Sequence, residues 1–430
     1  MANPGDKVKI KTRREEVEGV LMPSTDENIL MVKLDNGYNL GFDKKDVLSV
    51  KLVEGKKEAK EKKKEKIISN KNLPTISILH CGGTIASKVD YETGAVKAKF
   101  SPEELLEMFP ELNKVANIDS RLVANMFSED MRFEHYNLMA EEVEKAIQKG
   151  TDGIILTQGT DYIHYTAAAL SFLLENLSVP VLIVGSQRSS DRGSSDAVFN
   201  LLCAVQFIAN SDFGEVAVCM HDSSEDKRCV IIPGTKARKL HTSRRDAFKA
   251  VNTLPWAYVD PNGKIEYIKK SYHKKNKTEK LTLKLFNEKL KIGILKSHPH
   301  MYVEELKVYE KFDGLVLEGG GIAGNFPINH IDDYTESHAE FYEELKRLVK
   351  RIPVVGTSQC IFGRINMNVY STGIKLQEAG VLGNLTDLTA ETAFIKLAWL
   401  LSQKADVKEL WSKNLRGELN EQSAYQKEFL

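Results

Sequence analysis

The feature that most constrains the fold is an apolar run that ends in a short polar turn and continues into a helical segment. Residues 153–156 (Gly-Ile-Ile-Leu) have the composition of a buried strand, and residues 157–161 (Thr-Gln-Gly-Thr-Asp) follow directly. Residues 162–174 predict a helix. In open α/β sheets, the turn after such a strand lies at the edge where ligands bind. Thr160 and Asp161 are therefore candidates for a functional site, although the same pair is typical of helix capping.

A second strand-like run ends in a comparable turn. Residues 74–79 are β-rich, and residues 80–86 (His-Cys-Gly-Gly-Thr-Ile-Ala) follow them. The two glycines allow the backbone to approach a ligand closely, and they present Thr84 at the same edge as Thr160. Two threonines beside a carboxylate indicate nucleophilic acyl chemistry, which requires a base to activate the hydroxyl. A lysine can act as this base when its surroundings lower its pKa. Cys81 is a less favoured nucleophile because no histidine-based partner pattern accompanies it.

Taken together, the two turns identify a resemblance to a known family. Residues 82–86 and 157–161 resemble the two signature loops of the bacterial-type L-asparaginases, and the resemblance extends from about residue 74 to about residue 401. Either motif alone would be weak evidence, whereas both in this order are specific.

Further matches to the asparaginases follow in chain order. Residues 91–96 resemble the mobile loop that carries the lid tyrosine, here Tyr91. Residues 125–131 resemble the loop whose serine, here Ser128, binds the substrate α-carboxylate. Lys239 lies nine residues before Phe248, where the family has its catalytic lysine.

The resemblance implies a role for each residue of the candidate site. Thr84 is expected to be the primary nucleophile on a side-chain carboxamide, with Thr160, Asp161 and Lys239 as a supporting triad. Lys239 would take the proton through Thr160, and Asp161 would also bind the substrate α-ammonium group. The opposite assignment, in which Thr160 attacks, stays open. Backbone N–H groups of the turns would stabilise the oxyanion, and no metal site is predicted.

Composition excludes several other classes of protein. The chain has 430 residues, with 60 Lys plus Arg and 60 Asp plus Glu, so its net charge is zero. This balance argues against a strongly basic nucleic-acid binder. No apolar run approaches the length that spans a bilayer. The five cysteines show no metal-like spacing, so we expect a cytoplasmic protein with reduced thiols and no membrane contact.

The order of strand-like and helical runs predicts two asparaginase-like α/β domains, each with a doubly wound parallel sheet, preceded by a small SH3- or Tudor-like β-barrel. An Asp-Asn-Gly turn at residues 35–37 marks a hairpin in that barrel. The glycine loop at residues 319–325 lacks the pattern of a phosphate site, so we interpret it as a tight turn lining an interface. The predicted units are a barrel (1–55), a charged linker (56–73), an N-terminal α/β domain with the catalytic loops (74–262), a connector (263–284) and a C-terminal α/β domain with a tail (285–430).

Over its whole length, the chain resembles the D subunit of the archaeal glutamyl-tRNA(Gln) amidotransferase, an asparaginase-like protein with an added N-terminal barrel and basic linker. Residues 241–248 depart from the usual asparaginase sequence and favour this subunit. The segment between Thr84 and Tyr91 is shorter than in many asparaginases, and Glu129 replaces a frequent glutamine. Both of these departures bear on substrate choice more than on the chemistry.

The resemblance also implies partners. The chain would release ammonia from glutamine or asparagine, and a partner E subunit would use ATP and Mg²⁺ to amidate tRNA-bound glutamate. No nucleotide site is visible in this chain, so no cofactor is expected in it, and glutamyl-tRNA(Gln) would be bound mainly through the partner. A homodimer core within a heterotetramer is expected. The alternatives are a free cytoplasmic L-asparaginase and a non-catalytic scaffold that binds RNA or protein.

Overall fold

A computed structural model describes residues 2–24, 26–35, 38–54, 70–83, 110–188 and 193–423. It also gives the backbone of two short paired strands, Ser87–Val89 and Val96–Ala98. The predicted hairpin turn at residues 36–37 and most of the predicted linker lie outside the described residues.

The N-terminal unit is a five-stranded antiparallel sheet, as the alternation of its sequence predicts. Val8 and Ile10 are fully buried, while the lysines between and beside them point outward. Leu21 and Val32 complete a small core. The first strand lies between the second and the fifth, and the third and fourth follow the second. The strands are Lys7–Thr12, Glu16–Met22, Ile29–Lys33, Asn39–Asp43 and Val47–Glu54.

An eight-stranded mixed sheet forms the centre of the first α/β domain. Five strands are parallel, and one of them, the edge strand Asn117–Leu122, was not included in the sequence analysis. In spatial order the five are Asn117–Leu122, Thr75–His80, Gly153–Thr157, Val181–Val184 and Val216–His221. Three antiparallel strands that the sequence analysis did not include extend the sheet. Residues 222–228 are too few for a parallel crossover, so the chain returns antiparallel. The added strands are Cys229–Pro233, Ala257–Val259 and Ile265–Tyr267, the last inside the predicted connector.

The helix that follows the signature turn at residues 157–161 joins the two domains. A short 3-10 segment, Thr160–Tyr162, precedes the helix Ile163–Leu173, which is buried along nearly all of its length. It packs against the C-terminal helix Ala390–Ser402, and both belong to one continuous apolar core. A run of three alanines, residues 167–169, lies in this core. The other helices of the first domain are Phe133–Gln148 and Ala197–Asn210.

The second α/β domain has the three parallel strands that the sequence predicts, Ile292–Lys296, Gly314–Gly319 and Val354–Ser358. The glycine loop is a tight turn, since a Cβ at Gly319 would lie 2.1 Å from the Gly324 carbonyl oxygen. No helix in the described part of the chain is long and apolar enough to cross a membrane. Besides Ala390–Ser402, the helices here are Val303–Lys307, Glu336–Leu348, Ser371–Ala379 and Val407–Leu410.

A buried ion pair holds the residues that follow the last helix. Lys396 Nζ donates to Glu418 Oε1 at 2.7 Å and to the carbonyl oxygens of Trp411 and Lys413. Burial lowers the pKa of Lys396, and the Glu418 carboxylate opposes that shift. Glu418 also accepts from the backbone N–H of Leu415. Removing one partner of such a pair typically costs about 3–5 kcal/mol, so this segment is integral to the fold.

Candidate active site

Two adjacent parallel strands deliver the two signature turns to one edge of the main sheet. Strands Thr75–His80 and Gly153–Thr157 pair in register, with His80 opposite Thr157. A Cβ at Gly83 would lie 2.3 Å from the Gly159 nitrogen, and one at Gly82 would lie 2.2 Å from the Met126 carbonyl oxygen. Both glycines have positive φ, +100° and +85° for Gly82 and Gly83. Glycine is therefore required at both positions, because only its backbone allows the loops to pack this closely.

A buried histidine ties the strand ends together beneath these turns. His80 Nδ1 lies 2.8 Å from Thr157 Oγ1, and His80 Nε2 lies 2.8 Å from Ser120 Oγ. Burial lowers the pKa of His80 to about 4, so the ring is neutral near pH 7. One ring nitrogen donates and the other accepts, which gives this histidine a structural role.

A third loop, at residues 125–131, brings Ser128 beside the signature turn at residues 157–161. Ser128 is buried and begins a short 3-10 segment, Ser128–Asp130. A Cβ at Gly159 would lie 3.2 Å from Ser128 Oγ, so the serine is next to the turn that carries Thr160. Ser128 Oγ also lies 3.4 Å from the carboxylate of Glu129. Ser128, which is predicted to bind the substrate α-carboxylate, thus lies at the same sheet edge as Thr160.

Lys239 connects Thr160 and Asp161, the two polar residues of the signature turn at residues 157–161. Its Nζ donates to Thr160 Oγ1 at 2.8 Å and to Asp161 Oδ1 at 2.6 Å. The Lys239 side chain is 8% exposed, whereas that of Asp161 is 66% exposed. The ammonium group is therefore enclosed, and the carboxylate is accessible from outside the turn.

The position of Lys239 is fixed by a two-stranded hairpin. The strand Ala237–Lys239 pairs antiparallel with Phe248–Ala250, and Lys239 lies directly opposite Phe248. Phe248 is fully buried, so it anchors the register of the lysine. This pairing is the physical reason for the nine-residue spacing that the sequence analysis used.

A second charged pair lies beside the lysine, and the sequence analysis did not find it. Arg238 forms an ion pair with Glu391, and its NH1 lies 3.0 Å from His164 Nε2. Burial, together with the charges of Arg238 and Lys239, lowers the pKa of His164 to about 3, so this ring accepts from Arg238 as a neutral group. A cavity of about 710 Å³, whose lining includes Asp161, Arg238, Lys239 and Glu391, opens next to these groups.

Gln187 is a further neighbour of Thr160 that the sequence analysis missed. Its Oε1 lies 3.5 Å from Thr160 Oγ1. Its position in the sequence could have indicated this contact. Gln187 follows the strand Val181–Val184 and so reaches the same sheet edge as the signature turns.

The structure disfavours the alternative thiol nucleophile. Cys81 is fully buried, and burial together with the charge of Glu142 raises the pKa of its thiol to about 12. The thiolate is the nucleophilic form of cysteine, so this side chain is unreactive at neutral pH.

The structure brings together Thr160, Asp161 and Lys239 and places Ser128 beside them. Thr84 and Tyr91 lie outside the described residues. The catalytic and binding roles of all six residues stay predictions. Within the described part of the chain, no group of three or more His, Cys, Asp or Glu side chains could hold a metal ion.

Comparison with known proteins assigns the chain to a family. Three family models match it: "Asparaginase, N-terminal" at residues 75–273, "Glutaminase/Asparaginase C-terminal domain" at residues 291–412 and "GatD N-terminal domain" at residues 2–53. The D subunit of the glutamyl-tRNA(Gln) amidotransferase of Thermococcus kodakarensis is 43% identical over 417 residues, which cover 94% of this chain and 91% of that protein. The chain belongs to this family of amidotransferase D subunits. The Sulfolobus acidocaldarius member is 41% identical, with 97% of this chain and 91% of that protein covered.

Asparaginases are among the solved structures similar to this member of the family. The thermostable L-asparaginase of Thermococcus kodakarensis shares 28% identity and a TM-score of 0.70, covering 81% of this chain and 100% of that chain. L-asparaginase I of Vibrio cholerae O1 has 28% identity and a TM-score of 0.68, covering 81% of this chain and 99% of that chain. The predicted two-domain asparaginase-like fold with a β-rich N-terminal unit is confirmed.

We expect Gly83→Ala to abolish amide hydrolysis, because its Cβ would meet the Gly159 nitrogen at 2.3 Å and push the two signature turns apart. Gly150→Ala is the matched control, since Gly150 has a similar φ of +88° and no atom within 4 Å of the added Cβ. The measurement is ammonia release by each variant, with thermal unfolding to confirm folding. Equal activity in both variants would show that the close approach at Gly83 is not needed.

Proposed function

We propose that this chain is the amide-hydrolysing subunit of a tRNA-dependent amidotransferase, releasing ammonia from glutamine or asparagine. The observation that carries the proposal is the enclosed amino group of Lys239, which bridges Thr160 and Asp161 at the sheet edge. A lysine that contacts a threonine hydroxyl provides the base that such a nucleophile needs.

The mechanism follows from the position of each group. Thr84 Oγ attacks the carboxamide carbon, and the proton of the attacking hydroxyl passes through Thr160 to Lys239, which accepts it as a neutral amine. Collapse of the tetrahedral intermediate breaks the C–N bond, and ammonia leaves with that proton. Water then hydrolyses the acyl-enzyme, giving the free acid and the regenerated threonine. The assignment with Thr160 as the attacking group uses the same base and the same proton path.

Substrate is held at its amino-acid end by two groups of opposite character. The exposed carboxylate of Asp161 suits an α-ammonium group, and the hydroxyl of Ser128 suits an α-carboxylate. Tyr91 closes over the acyl-enzyme in this proposal. The negative charge of Glu129 beside Ser128 distinguishes this pocket from one that carries a neutral side chain there.

The second half of the reaction is assigned to a partner. The relatives are named as the D subunit of a glutamyl-tRNA(Gln) amidotransferase, which supports an assembly with a partner subunit. We propose that this partner is an E subunit and that the complex is cytoplasmic. That partner would bind ATP and Mg²⁺, while this chain binds no cofactor. The chain has zero net charge, so most phosphate contacts with glutamyl-tRNA(Gln) would come from the partner.

Alanine substitution of Thr84, Thr160 or Lys239 should lower ammonia release by about 10²-fold or more, because each change removes a nucleophile or its activating group. The exposed Lys264→Ala is the matched control. In the complete complex, saturating free ammonia should restore tRNA amidation in all three variants, since the partner's chemistry is separate. Near-normal hydrolysis by both Thr160→Ala and Lys239→Ala would contradict the proposed triad.

A free L-asparaginase is the second candidate, favoured by the similarity to solved asparaginases. The two functions differ in how hydrolysis is controlled, because an ammonia source that feeds a second site should release little ammonia without an acceptor. We therefore expect slow hydrolysis by the isolated chain and faster hydrolysis with the E subunit and glutamyl-tRNA(Gln). If the isolated chain already reaches the rate of the full mixture, the asparaginase function is correct instead.

We expect a homodimer as the core of a heterotetramer, with the glycine loop at the contact between copies. Exposed apolar side chains surround that loop, including Ile322 at 48%, Ile361 at 40% and Leu385 at 48% exposure. The Asn366 N–H donates to the Ile322 carbonyl oxygen, so the loop contacts the segment that contains Asn366. Light scattering of the isolated chain at micromolar concentration should give the dimer mass. A monomer that hydrolyses substrate at the full rate would overturn this expectation.

A further inference from the structure

The turn that follows strand Val181–Val184 packs directly on Thr160. This strand is the parallel neighbour of Gly153–Thr157, so the two strand ends lie side by side. A Cβ at Gly185 would lie 2.7 Å from Thr160 Cγ2, which shows how closely the backbone approaches. Two residues later, Gln187 Oε1 lies 3.5 Å from Thr160 Oγ1, at the outer limit of a hydrogen bond. Hydrogen bonds of this kind are often long before substrate binds.

A buried carboxylate fixes the conformation of this turn. Asp196 is fully buried and accepts from Ser186 Oγ at 2.9 Å, from the backbone N–H of Gln187 at 3.0 Å and from that of Arg188 at 2.9 Å. Asn200 Nδ2 donates to Asp196 Oδ2 at 3.1 Å and to the Gly185 carbonyl oxygen at 3.0 Å. The backbone that carries Gln187 is thus held from both sides, which favours one placement of its side chain.

The hydroxyl of Thr160 has two polar neighbours of different kinds. Lys239 Nζ donates to it, so the single hydroxyl hydrogen of Thr160 is available to Gln187 Oε1. Gln187 Nε2 is buried and has no hydrogen-bond partner within the described part of the chain. Rotation of the amide about its last side-chain bond would turn this donor toward Thr160 Oγ1. A carboxamide can therefore accept from the threonine hydroxyl, and it can also donate to that oxygen when the hydroxyl hydrogen points to Lys239.

We propose that Gln187, held in place by Asp196, is a positioning residue that orients the Thr160 hydroxyl while its proton passes to Lys239. In this step Lys239 acts as a neutral amine: the O–H bond of Thr160 breaks, an N–H bond forms on Lys239, and Thr160 Oγ1 takes up the proton of the attacking group. Gln187 contributes no proton; its amide accepts from the Thr160 hydroxyl while Lys239 is an ammonium group, and it donates to Thr160 Oγ1 when the hydroxyl hydrogen turns toward the neutral amine. The inference rests on the proposed amide hydrolysis and adds a residue to it.

Gln187→Met tests the role of the amide in the complete amidotransferase, because methionine is of similar length and has no comparable acceptor or donor. We expect kcat for ammonia release to fall by about tenfold, the effect of losing one hydrogen bond that matters in the transition state. KM should stay within about twofold, since the amide does not bind substrate. Gln206→Met is the matched control, because Gln206 bonds to the Pro261 carbonyl oxygen away from the site.

Gln187→Glu gives a second, independent readout. A carboxylate near Lys239 stabilises the ammonium form, so we expect the acid limb of the kcat profile to move to higher pH by about one unit. A residue with a purely structural role would not move that limb. The other titratable and charged groups around the site are the same in the wild type and in Gln187→Glu, so the new carboxylate is the only change. These groups are Glu129, Asp161, Tyr162, His164, Tyr165, Asp196, Arg238, Lys239 and Glu391.

The outcomes separate this inference from the proposed function. If neither the wild-type complex nor the Gln206→Met complex releases ammonia, the proposed function fails, and the role of Gln187 fails with it. If both release ammonia and Gln187→Met keeps its kcat, the inference alone is wrong. A raised KM at unchanged kcat would make Gln187 a substrate ligand and also overturn it. Should Gln187→Met fail to fold by thermal unfolding, the pH profile of Gln187→Glu decides.

Discussion

The candidate site depends on the close approach of two strand ends, at Gly83 and Gly159. A side chain at Gly83 would overlap the backbone of the neighbouring turn, and Gly82 fits against Met126 in the same way. Three loops can converge at this edge because the glycines leave room for backbone against backbone. Ser128, Thr160 and Asp161 are brought within reach of one another by this packing, and Lys239 then joins them from a separate hairpin.

Charge at the site is arranged as two adjacent ion pairs. Lys239 pairs with Asp161, Arg238 pairs with Glu391, and the neutral ring of His164 accepts from the arginine. Each cation therefore has its own carboxylate, which reduces the cost of placing two positive side chains on consecutive residues. Arg238 is neutralised by Glu391 and does not compete for Asp161. Lys239 therefore keeps its contacts with Thr160 and Asp161, the two residues assigned to the reaction.

Much of this arrangement could be predicted from sequence because it is local. The strands that precede Gly83 and Gly159 are short apolar runs with abrupt polar ends, and the spacing of Lys239 to Phe248 reflects a cross-strand pair. The Arg238–Glu391 pair joins residues 153 positions apart, and no periodic pattern encodes such a contact. Likewise, the contact between Gln187 and Thr160 follows from the order of strands in the sheet, which a single sequence does not determine.

The buried pair of Lys396 and Glu418 makes the residues after the last helix part of the folding unit. The family model for the second domain stops at residue 412, before Glu418. A chain shortened to that point would retain the helix Ala390–Ser402 but leave the Lys396 ammonium group inside the protein without its carboxylate. The same helix packs against Ile163–Leu173, which follows Thr160 and Asp161. The boundary of the family model is thus narrower than the physical domain, and residues 413–418 lie one helix away from the chemistry.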